Sequence, residues 1–129
     1  MIALGAEADP VRARLRFQRS QVLRTGAQFQ GVYRQGRRFG NALLTAAVCP
    51  NAAGAARLGL SIAGRTVGNA VARNRLRRVI RESFRLRQFE LPGVDIVIGA
   101  RNAARSAEAA AVRTHLNRLW TEIINACAK

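Results

Sequence analysis

Hydrophobic positions along the chain change period several times, and each change marks an element. From Ser20 to about Gln35, the residues Val22, Leu23, Phe29, Val32 and Tyr33 fall in an irregular helical pattern. Thr25-Gly26 interrupts that pattern and Gly36 stops it, which predicts a short first helix, mainly Ala27 to Gln35. Leu43 to Val48 and Leu58 to Ile62 are short apolar runs separated by the turn formers Pro50, Asn51 and Gly54. Such spacing predicts two adjacent antiparallel strands joined as a hairpin. Gly64 to Asn69 reads as a loop, and Ala70 to about Gln88 as a helix that Pro92-Gly93 terminates. The run VDIVIGA, Val94 to Ala100, is continuous and rich in β-branched residues, as a buried central strand requires. Val112, Leu116, Leu119, Trp120, Ile123 and Cys127 then recur at helical spacing, with Ser106 as the expected cap and Glu108 in the first turn.

The order is αββαβα. It predicts an α+β two-layer sandwich, a small central sheet with helices packed on it and a helical crossover between two of the strands. The first dozen or so residues show no periodicity, so segment 1–16 is expected to be a flexible terminus ahead of a single domain over 17–129.

The helix after Gly68-Asn69 is unusual when its residues are placed at 100° intervals. Leu76, Val79, Ile80 and Phe84 gather on one side and form a core face. Arg73, Arg77, Arg81 and Arg85 climb the helix at i, i+4 spacing, flanked by Asn74 and Arg78, with Glu82 the only acid among them. Like charges at that spacing repel by a few tenths of a kcal/mol per pair, so the stripe weakens the free helix. Phosphates would neutralise it, because guanidinium forks match phosphate oxygens and each neutralised phosphate releases counterion. A merely solvated face would mix the two signs.

Whole-chain charge points the same way. Net +15 with a sequence pI of about 12.0 implies a polyanionic partner, while 49% hydrophobic residues set the chain apart from disordered basic tails. No apolar stretch approaches membrane-spanning length and the start MIALGAEADP has no secretory pattern, so a cytoplasmic protein without membrane contact is expected. Cys49 and Cys127 are far apart with no CxxC spacing, which makes them reduced thiols rather than metal ligands.

The segment GNAVARNRLRRVIRESF resembles the signature of the bacterial ribonuclease P protein component. The likeness extends backward through RSQVLRTGAQFQGVYRQGRR and forward through VDIVIGAR to the closing amphipathic helix, covering nearly everything from Phe17 onward. It implies the same αββαβα sandwich with a left-handed βαβ crossover, as in the second domain of ribosomal protein S5, a handedness that general rules would not predict. It also implies a binding subunit for RNA catalysis. The RNA subunit would hydrolyse the precursor-tRNA phosphodiester with Mg2+, and the protein, itself without cofactor, metal site or catalytic residue, would hold that RNA and the 5′ leader of the substrate. One protein and one RNA would form the enzyme.

By the same resemblance Arg73, Asn74 and Arg75 fill an RNR motif, and Arg77, Arg78 and Arg81 continue the RNA-facing helix. Asn69, with Gly68, shapes the loop before it, and Arg65 is a further RNA contact. The chain departs from the family in having Gly64-Arg65-Thr66 where paired lysines are common. Phe29 and Tyr33 would line a cleft in which a single-stranded leader stacks, whereas their spacing alone fits two anchors of the first helix to the core. Two other readings compete: a plain RNA-binding module such as a ribosomal protein, and an autonomous metal-dependent nuclease. The second would need paired carboxylates or a histidine-centred set. His115 is the sole histidine, placed as an ordinary surface residue, and Glu82, Glu90, Asp95, Glu108 and Glu122 are dispersed.

Overall fold

The run Val94–Ala100 becomes the organising strand of the protein. The computed structural model describes residues 22, 23, 25–63 and 68–127, and its elements run α1 (Gly26–Gln35), β1 (Arg37–Gly40), β2 (Leu44–Pro50), β3 (Arg57–Ser61), α2 (Ala70–Arg87), β4 (Val94–Ala100), a 3-10 turn (Asn102–Arg105) and α3 (Ala109–Cys127). Four strands form one mixed sheet in the order β1-β2-β4-β3, with β4 antiparallel to β2 and parallel to β3. Helix α2 makes the crossover between the parallel strands β3 and β4. The architecture is therefore the expected α+β one, a small central sheet carrying helices.

Two expectations about connectivity fail. The expected hairpin of the two apolar runs does not form, because β4 lies between β2 and β3. A strand whose residues are apolar on both faces gains most from the centre of a sheet, and the loop from Asn51 to Ala56 is long enough to step over it. Asn51 shapes that step: its amide nitrogen donates to Ala55 O (3.0 Å) and to Asp95 Oδ1 (2.8 Å). The extra strand β1 had no apolar run to announce it. Its four residues RRFG pair with β2 through backbone, Arg37 opposite Val48 and Gly40 opposite Thr45.

Strand alternation sends side chains to two unequal faces. Leu44, Ala46, Val48, Leu58, Ile96 and Ile98 join Leu76, Ile80 and Phe84 of α2 and Leu116, Leu119, Trp120 and Ile123 of α3 in the main core. Phe84 and Trp120 meet edge to face at 6.0 Å, and Trp120 Nε1 donates to Ser83 Oγ (2.8 Å), so the one polar atom of the buried indole is satisfied. On the opposite face Ala47 and Val97 pack with Leu23 and Val32, which seats α1 there.

The helix starts follow local chemistry. Thr25 and Gln28 form a reciprocal capping box at α1, so the Thr25-Gly26 interruption is the boundary itself. Ser106 does not cap α3 as expected. It ends the 3-10 turn, and the first α-helical bond of α3 runs from Val112 N to Glu108 O (3.0 Å), so Glu108 precedes the helix. Both cysteines are free thiols. The expected terminal segment 1–16 and Arg65, with Gly64 and Thr66, lie outside the described residues. Among the described residues no helix is long and apolar enough to cross a membrane.

Candidate nucleic-acid interface

Helix α2 is placed by its first residue and its core stripe together. Asn69 Oδ1 accepts from Ala72 N (2.8 Å), a standard N-cap that fixes where the helix begins. Gly68 before it has φ of +99°, the left-handed region, and an added Cβ would meet the Arg105 guanidinium at 3.0 Å. Only glycine fits that turn comfortably. Leu76, Val79, Ile80 and Phe84 are buried, as the wheel required.

With that face committed, the opposite one turns outward at the β3 edge of the sheet. Asn74, Arg77, Arg78, Arg81, Glu82 and Arg85 line an open groove of about 750 Å3 whose other wall includes Val22. Val22 bridges to Leu58 in parallel, and Leu23 N donates to Leu58 O (2.9 Å), so this short extended segment covers the β3 edge and borders the groove. A smaller recess continues from it between Arg77 and Arg81 on one side and Leu23, Phe29, Leu58 and Leu60 on the other. Cationic groups thus face an apolar wall with one aromatic ring, an arrangement that accepts phosphates and a base together.

The RNR residues do not act as a unit. Asn74 faces the groove, but Arg73 Nη1 donates to Gly68 O (2.9 Å) and Arg75 Nη2 reaches Ala107 O (3.3 Å) before α3. Both arginines brace loops at the N-terminal end of α2, each with N–H groups to spare. Asn69 is likewise engaged as a cap. The groove gains Arg85, which belonged to the i, i+4 series in sequence; Val22, Leu23, Leu58 and Leu60 had no sequence signal, because they reach the site by strand pairing.

Arg85 is paired with Glu82 through both Nε and Nη2. The hydrogen bond from Arg85 chiefly, with its charge assisting, holds the Glu82 carboxyl below the ordinary carboxylate range. At the start of β3 itself Arg57 clamps Asp95 with two parallel bonds (2.7 and 2.8 Å), which raises the Arg57 pKa and removes that acid from any chemistry.

The two expected aromatic residues part company. Phe29 is half-buried, and a Cβ on Gly59 would lie 2.8 Å from its Cζ, so the ring rests directly on the β3 backbone beside the groove. Tyr33 lies on the same face but toward the β1 edge, with the Arg38 guanidinium 5.1 Å over its ring. Helix α1 crosses the strands, so one helical turn carries the two rings toward different strands. Among the described residues no three His, Cys, Asp or Glu side chains come together as a metal site. His115 Nδ1 lies 2.8 Å from Ala111 O, a bond within its own helix.

Comparison with known proteins gives one consistent result. The family model for ribonuclease P matches residues 17–124. A ribonuclease P protein component from Escherichia coli O157:H7 is 39% identical over 107 residues, covering 83% of this chain and 90% of that protein. The ribonuclease P protein of Staphylococcus aureus superposes with a TM-score of 0.75 at 28% identity, covering 78% of this chain and 93% of the other. The Thermotoga maritima protein gives 0.71 at 28% identity, with 78% and 96% covered.

Proposed function

The chain belongs to the ribonuclease P protein family, and from that premise we propose that it is the binding subunit of a tRNA 5′-maturation endoribonuclease, holding the catalytic RNA and the precursor leader while the RNA performs the cleavage. The observation that supports this most is the groove in which Asn74, Arg77, Arg78, Arg81 and Arg85 face Val22, with Phe29 in the adjoining recess. Guanidinium groups in a row along a helix suit a phosphate backbone, and an aromatic edge beside them suits an unpaired base, worth about 1 to 3 kcal/mol when stacked.

In this reading Arg77, Arg78 and Arg81 contact phosphates. Arg73, Arg75 and Asn69 hold α2 and its flanking loops at the RNA surface and use their remaining donors on RNA, and Arg65 adds charge from the loop before the helix. The partners are one ribonuclease P RNA and precursor tRNA, in the cytoplasm. Mg2+ serves the RNA-containing enzyme, and the protein itself supplies no catalytic group or cofactor site.

The test is cleavage of a precursor tRNA at low Mg2+ by a bacterial ribonuclease P RNA, with and without the protein, beside the protein alone. Cleavage at the mature 5′ end that needs the RNA and is enhanced by the protein supports the reading. Cleavage by the protein alone would replace it with a protein nuclease. RNA binding without stimulation would leave a plain RNA-binding module. In the same assay Phe29→Ala should lower affinity for a leader-bearing precursor about tenfold and for mature tRNA hardly at all. An equal loss on both substrates would assign Phe29 to packing only.

A further inference from the structure

The connection from β4 to α3 carries a cation that is fixed in place and yet not neutralised. Arg105 closes the 3-10 turn Asn102–Arg105 and is exposed. Its Nε, Nη2 and Cζ lie 3.0, 3.2 and 3.3 Å from the position a Cβ on Gly68 would take, so the guanidinium fills the space that the glycine leaves open. Ala104, one residue earlier, is buried in the main core and anchors the turn. Ala104 N donates to Arg101 O (3.0 Å) and Ala107 N to Ala104 O (3.4 Å), which fixes the backbone on both sides. Packing rather than bonding sets the place of this side chain.

Its two arginine neighbours are already engaged. Arg73 Nη1 donates to the carbonyl of the same Gly68, and Arg75 Nη2 to Ala107 O, just beyond Arg105 in the chain. Three guanidinium groups therefore converge on the loops at the start of α2, while the ion pairs of the described residues fall elsewhere, at Arg57–Asp95, Arg85–Glu82 and Arg87–Glu90. Among the described residues the Arg105 side chain has no hydrogen-bond or ion-pair partner, so all of its N–H donors are available. Part of its rotamer freedom is already lost to packing, and meeting an anion costs less than it would for a free surface arginine.

Position decides which anion. Ala104 belongs to the side of the sheet that carries α2 and α3, whereas Phe29 packs on the opposite side with Leu23 and Val32. From Gly68, where Arg105 sits, to Arg85 is about 25 Å along α2 at 1.5 Å per residue. Cations held that far apart on one rigid frame match phosphates held apart by a folded RNA, and a short single strand has no such fixed spacing. We propose that Arg105, with Arg73 across Gly68, holds a backbone phosphate of the catalytic RNA, which extends the RNA surface from α2 onto the 3-10 turn. This rests on the function proposed above. It also gives Gly68 a second reason to be glycine, because a side chain there would displace the cation as well as strain the turn.

The experiment measures binding of ribonuclease P RNA, without substrate, to wild-type and variant protein over a range of salt. Arg105→Gln should lower affinity about five- to tenfold and reduce the salt slope by about one, with the melting temperature unchanged because no bond within the protein is lost. Arg105→Lys keeps the charge but not the fork, so the slope should hold while part of the affinity goes. Arg73→Gln combined with Arg105→Gln should cost less than the product of the two single losses, as two donors on one phosphate require. Arg113→Gln on α3 is the control and should change neither affinity nor slope. Unchanged affinity and slope for Arg105→Gln would overturn the proposal and leave a solvated cation. So would a loss confined to precursor tRNA binding by the preassembled enzyme, since the phosphate would then be the substrate's. A lowered melting temperature with equal losses in the Gln and Lys variants would overturn it in favour of packing alone. Wild-type protein that fails to stimulate cleavage would sink the underlying function, a result separable from variants that behave like a stimulating wild type.

Discussion

Helices α2 and α3 are nearly equal in length, 18 and 19 residues, and they pack against each other, yet they spend their outer faces differently. Each buries an apolar stripe, Leu76, Val79, Ile80 and Phe84 in one and Val112, Leu116, Leu119, Trp120 and Ile123 in the other. Outside, α3 mixes Arg113, Asn117, Arg118, Thr121 and Glu122, as a solvated face does. Helix α2 sets Arg77, Arg78, Arg81 and Arg85 against a single Glu82. Burial is sufficient to explain why both are helices. The charge on α2 is additional to what folding needs and opposes it slightly, so it has to be explained by a partner.

The shared core gives the largest effect and the one that treats the helices alike. Trp120→Ala should cost about 3 to 5 kcal/mol in denaturant unfolding, because a fully buried indole leaves a cavity that Phe84 cannot fill and orphans Ser83. Loss of helical signal from α2 and α3 should be simultaneous. Two separate transitions would mean the helices are not one cooperative unit.

The outer faces should behave oppositely to the core. Arg77→Ala and Arg81→Ala should each lower RNA affinity by about 1 to 1.5 kcal/mol, reduce the salt slope by about one, and leave folding stability unchanged or a few tenths of a kcal/mol higher. Arg113→Ala and Arg118→Ala on α3 should leave the slope unaltered. Equal slope changes on both helices would erase the distinction and describe RNA binding as a property of net charge.

How much of this was legible before the structure follows the same division between local and non-local physics. The two faces of α2, the span of β4 and the stripe of α3 as far as Ile123 were readable because period and composition are properties of contiguous residues, whereas Cys127, expected to continue that stripe, is exposed at the helix end. Strand β1 was not, since RRFG has no apolar run and exists through its backbone pairing with β2. The place of β4 between β2 and β3 was not, because partner choice depends on residues far apart in the chain, such as Leu44 with Ala100 and Arg57 with Asp95. In the site, the wheel ordered the arginines of α2 correctly but could not show that Arg73 and Arg75 would reach for Gly68 O and Ala107 O. Likewise i, i+4 spacing placed Phe29 and Tyr33 on one helix face. That α1 lies across the strands, and so separates the rings between β3 and β1, is a tertiary fact.

The smallest expected effect concerns the one acid in the stripe. Glu82 pairs with Arg85 along the groove, so a phosphate arriving there must compete with a carboxylate already in place. Glu82→Gln should therefore raise RNA affinity two- to threefold and steepen the salt slope by up to one unit, as the carboxylate that competes with phosphate along the groove loses its charge. The same change should cost the isolated fold a few tenths of a kcal/mol, the usual worth of an exposed i, i+3 pair. Because the Glu82 pKa is lowered in the folded chain, the pair contributes fully above the ordinary carboxylate range and is lost only as pH falls through that lowered value. The wild-type chain should accordingly lose this small increment in acid while the Gln variant shows no such step. A variant with unchanged RNA affinity and salt slope would show that Arg85 makes no phosphate contact, and the stripe on α2 would end at Arg81.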